Sequence, residues 1–190
     1  MSSFVCCNDG TTYPLESLRW RGSSENALLD ITHEVDFDPD SLAHSQEASL
    51  WRYKAAMALP EGLTPLSLGE GYTPMDEVKI GGKEVLVKLD YLFPSGSYKD
   101  RGATALLSFA RHMGVAEVVQ DSSGNAGAAI ANYSALGGIR CRIFVPASTS
   151  PAKLVQMAAF GAEIELVEGS REDTAHAALQ AAEGNFYASH

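Results

Sequence analysis

Apolar and polar positions follow two different rhythms along this chain, and the rhythm changes near residue 99. Beyond it, apolar residues recur every three or four positions over 100–113, 124–136, 151–160 and 171–183, which predicts four helices. Short runs at 117–120, 141–145 and 163–167, with a last apolar stretch at 185–188, predict four strands between and after them. Gly114, Gly137-Gly138 and Gly161 follow the last periodic residues of the first three helices, and Pro151 opens the third. Regular alternation of helix and strand argues for an α/β fold: a parallel four-stranded sheet with right-handed crossovers and helices on both faces. Ligands of such sheets collect where strands end and the next helices begin. Two motifs, Pro94 to Arg101 and Asp121 to Asn125, fall at places of that kind.

Before residue 99 the pattern is weaker. Gly10, Pro14, Gly22 and the turn signal Asp38-Pro39-Asp40 interrupt any long period, so 1–45 reads as a loop-rich segment. Residues 47–59 carry apolar side chains at helical spacing until Pro60 and Gly62, which predicts a short amphipathic helix. A Gly- and Pro-rich stretch at 64–73 precedes a strand at 84–89, entered through Gly81-Gly82 and paired with 78–80 as a hairpin. The resulting division is a segment at 1–45, part of a second, incomplete domain at 46–98, and a small α/β domain at 99–190. The last strand lacks a following helix and the first hundred residues lack an obvious core, a pattern expected of a piece of a longer protein.

At 190 residues, with 45% hydrophobic and 20% charged residues, the composition is that of an ordinary globular protein. The net charge of −10, with Asp30, Glu34, Asp36, Asp38 and Asp40 clustered early, leaves no basic stripe for nucleic acid. No apolar run approaches the roughly 20 residues of a membrane span, and the amino terminus lacks the pattern of a leader, so the cytoplasm is the default location. Cys6, Cys7 and Cys141 form no disulfide framework and lack the partners of a zinc site, so no metal is expected. His33, His44, His112, His176 and His190 are scattered and read as surface or helix positions.

Lys99 stands where the Ser95-Gly96-Ser97 turn gives way to a helix. The unpaired N–H groups and positive dipole end of a helix start disfavour an ammonium ion, which suits an amine that must be neutral to attack an aldehyde. A surface lysine beside a capping Asp100 is the plainer reading; the flexible turn, whose backbone can close around a ligand, weighs against it. Ser122-Ser123-Gly124-Asn125-Ala126-Gly127 places hydroxyls and backbone N–H groups at a second helix start, which suits a carboxylate or phosphate. An ordinary serine cap before a small-residue helix explains those residues equally well. Asn125 adds a side-chain donor able to hold a phenolic oxygen.

The stretch Pro94-Ser95-Gly96-Ser97-Tyr98-Lys99-Asp100-Arg101-Gly102 resembles the lysine motif of threonine synthases, pyridoxal-phosphate enzymes built like the tryptophan synthase β subunit. Leu50 to Tyr53, Leu66 to Pro74 and Ser122 to Gly127 resemble further stretches of that family, so the likeness runs over about residues 47–190. It implies pyridoxal phosphate as cofactor and a small-molecule amino-acid substrate, with 46–98 as part of the larger domain; a homodimer is left open. By the same resemblance Lys99 is the catalytic residue, holding the cofactor and moving protons. Asn125 hydrogen-bonds the cofactor's ring oxygen, and Ser97 and Tyr98 lie beside it. Ser95, Ser122, Ser123, Gly124 and Ala126 form the substrate-binding set. The implied reaction converts O-phosphohomoserine and water to threonine and phosphate.

Three departures from that family's pattern bear on the expectation. Tyr98 stands where phenylalanine is commoner, Ala126 where many threonine synthases carry a threonine hydroxyl, and paired cysteines found in some relatives near the amino terminus are missing. The family's glycine-rich loop for the cofactor phosphate and its partner for the pyridine nitrogen lie beyond the matching region. The chain alone is therefore expected to bind the cofactor weakly and turn over little. Two alternatives stay open: another enzyme of the superfamily, such as a threonine or serine dehydratase or a cysteate synthase, and a non-catalytic truncated remnant.

Overall fold

The computed structural model describes residues 2–24, 27–35 and 37–188; Asp36 and His190 lie outside them. Its centre is a four-stranded, wholly parallel sheet of β6 (Glu117–Gln120), β7 (Arg140–Pro146), β8 (Glu163–Val167) and β9 (Phe186–Tyr187), in the order β8-β7-β6-β9. The chain moves outward from β6 through β7 to β8, then crosses back to lay β9 on the other side of β6. The reversal puts a topological switch point at the carboxyl ends of β6 and β9, the position where such sheets bind ligands.

Four helices cover the sheet: α1 (Asp100–His112), α2 (Asn125–Gly137), α3 (Pro151–Ala159) and α4 (Arg171–Ala181). Adjacent residues of β6 show how they divide. Val118 packs with Leu107 of α1, Ile130 of α2 and Met157 of α3, whereas Val119 faces Ala178 of α4 and Phe144. Three helices thus lie on one face and one on the other, and the expected layering holds. Helix ends fall within two residues of the expected ones. α2 closes on Gly138 in the left-handed conformation at φ +65°, with Ile139 N–H donating back to Ser134 O. Arg140 and Arg142 of β7 bridge Glu117 of β6 to Glu163 and Glu165 of β8, an ion-pair ladder that favours the observed register.

Two expectations fail before residue 99. The loop-rich segment contains a three-stranded antiparallel sheet, β1 (Ser3–Cys6), β2 (Thr12–Pro14) and β3 (Leu29–Thr32), in the order β2-β1-β3. Its strands are three or four residues long, too short to show a period, and β1 finds β3 across more than twenty residues of chain. Phe4 of β1 meets Phe109 of α1 edge-on at 6.1 Å between ring centres, so this sheet packs on the main core. The predicted helix at 47–59 is a shorter 3-10 helix, Leu50–Ala56. Leu50 N–H donates to Glu70 O at 2.6 Å, and the buried Trp51 indole binds Glu70 and Thr104. Spacing of Leu50, Tyr53 and Ala56 suits either helix, and these tertiary anchors accompany the tighter one.

The hairpin forms as expected and is longer, with β4 (Met75–Ile80) antiparallel to β5 (Lys83–Lys88) around Gly81-Gly82. It stands apart from the parallel sheet. The lysine turn therefore follows a separate hairpin and a 3-10 turn, Asp90–Leu92, and does not sit at the end of a strand of the main sheet as the alternation implied. Only the serine loop does.

Candidate functional site

Residues 94–99 form a turn braced by buried groups. Gly96 adopts φ +79° and donates its N–H to Phe93 O at 2.7 Å. Ser95 is buried; its N–H donates to Asp100 Oδ2 at 2.8 Å and its hydroxyl donates to Asp100 Oδ1. The Ser95 hydroxyl therefore faces into the turn. Ser97, also buried, accepts from Lys99 N–H at 3.2 Å. Asp100 is fully buried, and burial first, with the nearby Glu70 charge, raises its carboxyl above the ordinary 3.8 against the opposing Ser95 hydrogen bonds.

Lys99 caps the amino end of α1 with no side-chain hydrogen bond at the cap, and its Nζ lies 5.3 Å from the Tyr98 ring centre. Tyr98 is 57% exposed, so the amine and its ring stand at an open face. Arg101, one turn position further, pairs with Asp90 at 3.1 Å, and Asp90 also accepts from Thr73 Oγ1 at 2.9 Å. The hairpin is thereby fixed to the first turn of α1.

The second motif leaves β6 at its carboxyl end. Asp121 is buried and held from two sides, by Tyr187 OH of β9 at 2.7 Å and by Arg171 of α4 at 2.7 Å. The loop therefore starts from a fixed point. Ser122 and Ser123 are half-buried, while Gly124 and Asn125 are exposed. The start of α2 has no side-chain cap: the residue before it is Gly124, whose N–H meets Ser122 Oγ at 3.3 Å. The donors of the first turn are thus not consumed by a capping side chain. A β-carbon on Gly127 would sit 2.1 Å from Ser122 O and 2.8 Å from Met157 Sδ, so only glycine lets the loop fold this tightly onto α2.

Neighbouring residues of α3 join the two motifs. Gln156 Nε2 donates to Ser95 O in the lysine turn at 2.8 Å, while Met157 packs against Gly127 behind the serine loop. The lysine turn and the serine loop are thereby held to one helix, α3, by adjacent residues. An aldehyde-bearing ligand with an acidic group fits this donor set: a lysine to meet the aldehyde, Asn125 to donate to a ring oxygen, and free N–H groups for an anion. Cys141 has no part in it; burial pushes its thiol up to about 12. Among the described residues, no three or more His, Cys, Asp or Glu side chains gather as metal ligands, and no helix is long and apolar enough to cross a membrane.

Sequence reasoning reached the residues with exposed chemistry and missed those that hold them. Glu70, Thr104, Tyr133 and Gln156 were not singled out as functional. Glu70 lies in a quoted motif and gave a signal, an acid between two glycines in a segment of low polarity; Gln156, on an exposed helix face, gave none.

Comparison with known proteins places these residues in context. Residues 66–190 match the family model described as "Pyridoxal-phosphate dependent enzyme". The threonine synthase of Methanocaldococcus jannaschii is 31% identical over 178 residues, covering 88% of this chain and 44% of that protein. The threonine synthase of Methanosarcina acetivorans is 31% identical over 182 residues, covering 91% and 44%. The chain thus spans less than half the length of these relatives. Among solved structures, that of O-ureido-L-serine synthase superposes with a TM-score of 0.57 at 28% identity, over 61% of this chain and 40% of that one.

Proposed function

The chain belongs to the pyridoxal-phosphate dependent enzyme family, and from that premise we propose that it carries the lysine-bearing part of a threonine synthase-like enzyme acting on O-phosphohomoserine and water. The observation that carries the reading is the bracing of the Lys99 turn and the Ser122–Gly127 loop by adjacent residues of α3. Pyridoxal phosphate, when bound, supplies the electron sink that allows bonds next to the substrate's amino group to break. Lys99 Nζ would hold the cofactor at its aldehyde carbon and, once the substrate's amine has displaced it there, would take and return protons at the substrate's carbons. Asn125 would hold the cofactor by donating its side-chain N–H to the ring oxygen. The N–H groups at 123–126 and the hydroxyls of Ser122 and Ser123 bind the substrate's acidic group, with the small Ala126 leaving room for it. Ser97 fixes the backbone of Lys99, and the exposed Tyr98 ring lies beside the amine. Ser95 is assigned to the turn, since its hydroxyl is given to Asp100.

A second reading is a related enzyme acting on another amino acid, favoured by the likeness to O-ureido-L-serine synthase at 28% identity. Borohydride reduction of the chain with pyridoxal phosphate, followed by peptide mass mapping, tests the cofactor role: the label is expected on Lys99 and is lost in Lys99→Ala. Without reduction, dialysis is expected to remove the cofactor. Product analysis then separates the substrates. Threonine and phosphate from O-phosphohomoserine support the proposal, keto acids from serine or threonine support a dehydratase, and the absence of any label on Lys99 supports a non-catalytic remnant.

A further inference from the structure

Glu70 is wholly buried, and no described lysine, arginine or histidine pairs with it. A lone carboxylate costs several kcal/mol in such a place unless donors surround it. Four neutral donors do. Trp51 Nε1 reaches Oε1 at 2.9 Å, while Tyr133 OH at 2.8 Å, Leu68 N–H at 2.8 Å and Ser67 Oγ at 3.2 Å reach Oε2. The Trp51 indole also meets Thr104 Oγ1 of α1 at 3.0 Å. Burial first, then the bond to Glu70, raises the Tyr133 phenol above its ordinary 10, so it remains a donor.

The donors come from separate parts of the chain. Thr104 lies on α1 five residues after Lys99, and Tyr133 on α2 eight after Asn125, so roughly 8 Å and 12 Å of rigid helix separate this cluster from the two helix starts. α1 and α2 pack on each other, but the apolar face of α2 is largely alanine, including Ala128, Ala129 and Ala131. Contacts among small apolar side chains are not directional and resist sliding weakly. Hydrogen bonds converging on one carboxylate are directional.

We propose that Glu70 is the positioning residue that sets Lys99 against Asn125, by binding α2 through Tyr133 and α1 through Trp51 and Thr104. The proposal rests on the reading of Lys99 and Asn125 given above. It is tested on the 190-residue chain with Glu70→Gln and Tyr133→Phe, the second of which keeps the ring and serves alone if the first does not fold. Amide hydrogen exchange is measured at the first turns of α1, α2 and α4, and borohydride trapping of pyridoxal phosphate is compared at Lys99 and at Lys79 of the exposed hairpin. Exchange is expected to rise about tenfold at the starts of α1 and α2 and to stay unchanged at α4, with the Lys99-to-Lys79 labelling ratio falling about tenfold. Folded variants whose exchange is unchanged, or rises equally in all three helices, overturn the proposal. If the parent chain labels Lys99 no better than Lys79, the cofactor reading falls, while the exchange pattern still decides the positioning role.

Discussion

Helices α2 and α4 both begin at the carboxyl end of a parallel strand, after β6 and β8, yet their first turns are finished in opposite ways. At α4 the chain consumes its own donors. Ser170 Oγ accepts from Asp173 N–H at 3.2 Å, and the Asp173 carboxylate accepts from Ser170 N–H at 2.7 Å. At α2 the capping residue is Gly124, with no side chain to give, and the serines before it leave the first turn open. One topological position thus serves two purposes. Donors tied up by the chain contribute to stability, while donors left open are available to a ligand.

The largest test of this contrast is Gly127→Ala. A β-carbon there meets backbone, at 2.1 Å from Ser122 O, and a backbone atom cannot swing aside as a side-chain tip can. The substitution is expected to cost about 3 kcal/mol or more in urea unfolding and to displace the serine loop. Unchanged stability would mean that the tight fold of the loop onto α2 is not what keeps that helix start in place.

Ser170→Ala acts on the closed end and is expected to cost about 1 kcal/mol, the ordinary worth of a lost cap, with no change at the serine loop. The same end has a pH signature. The Ser170 backbone bond first, then the Ser170 side chain, lowers the Asp173 carboxyl below its ordinary 3.8. A depressed carboxyl contributes stability that is fully present above that ordinary value and is lost as the pH falls through the folded one. Asp173→Asn is therefore expected to be less stable than the parent at neutral pH, the gap closing below pH 3.8. A gap that persists in acid would show that the charge is not what closes α4.

Much of the fold could be read from the residues alone, and the limits are physical. The four helices beyond residue 99 were legible because each is long enough for its period to show, and the four strands because they are the apolar runs left between and after those helices. Lys99 and Asn125 were legible for a related reason, since exposed chemistry at a helix start is a local pattern. The sheet at 3–32 was not, because its strands are too short and pair across distant sequence. Glu70 was seen only as part of a motif; its role depends on Trp51, Thr104 and Tyr133, brought together by folding from up to 63 residues away. The difference between an open and a closed start was not read: the spacing of Ser170 and Asp173 as a mutual cap went unused, and Ser122 and Ser123 allowed either reading until their geometry was known.

The smallest effect on stability is expected from Ser122→Ala, and it is the most discriminating. Ser122 Oγ makes a single weak contact, with Gly124 N–H at 3.3 Å, in a loop whose shape is set by Gly127 and by the anchored Asp121. Removing it should leave the melting temperature within about a degree, in contrast to Ser170→Ala. Binding should respond in the reverse order. With inorganic phosphate as probe, followed by amide shifts at 122–127, Ser122→Ala should weaken affinity about tenfold, the loss of one hydrogen bond to a charged group, while Ser170→Ala leaves it unchanged. Equal phosphate affinity in both variants would mean that the open start of α2 is merely an uncapped helix. The crossing of the two responses, stability lost at one serine and anion affinity at the other, ties the open end to a ligand and the closed end to the fold.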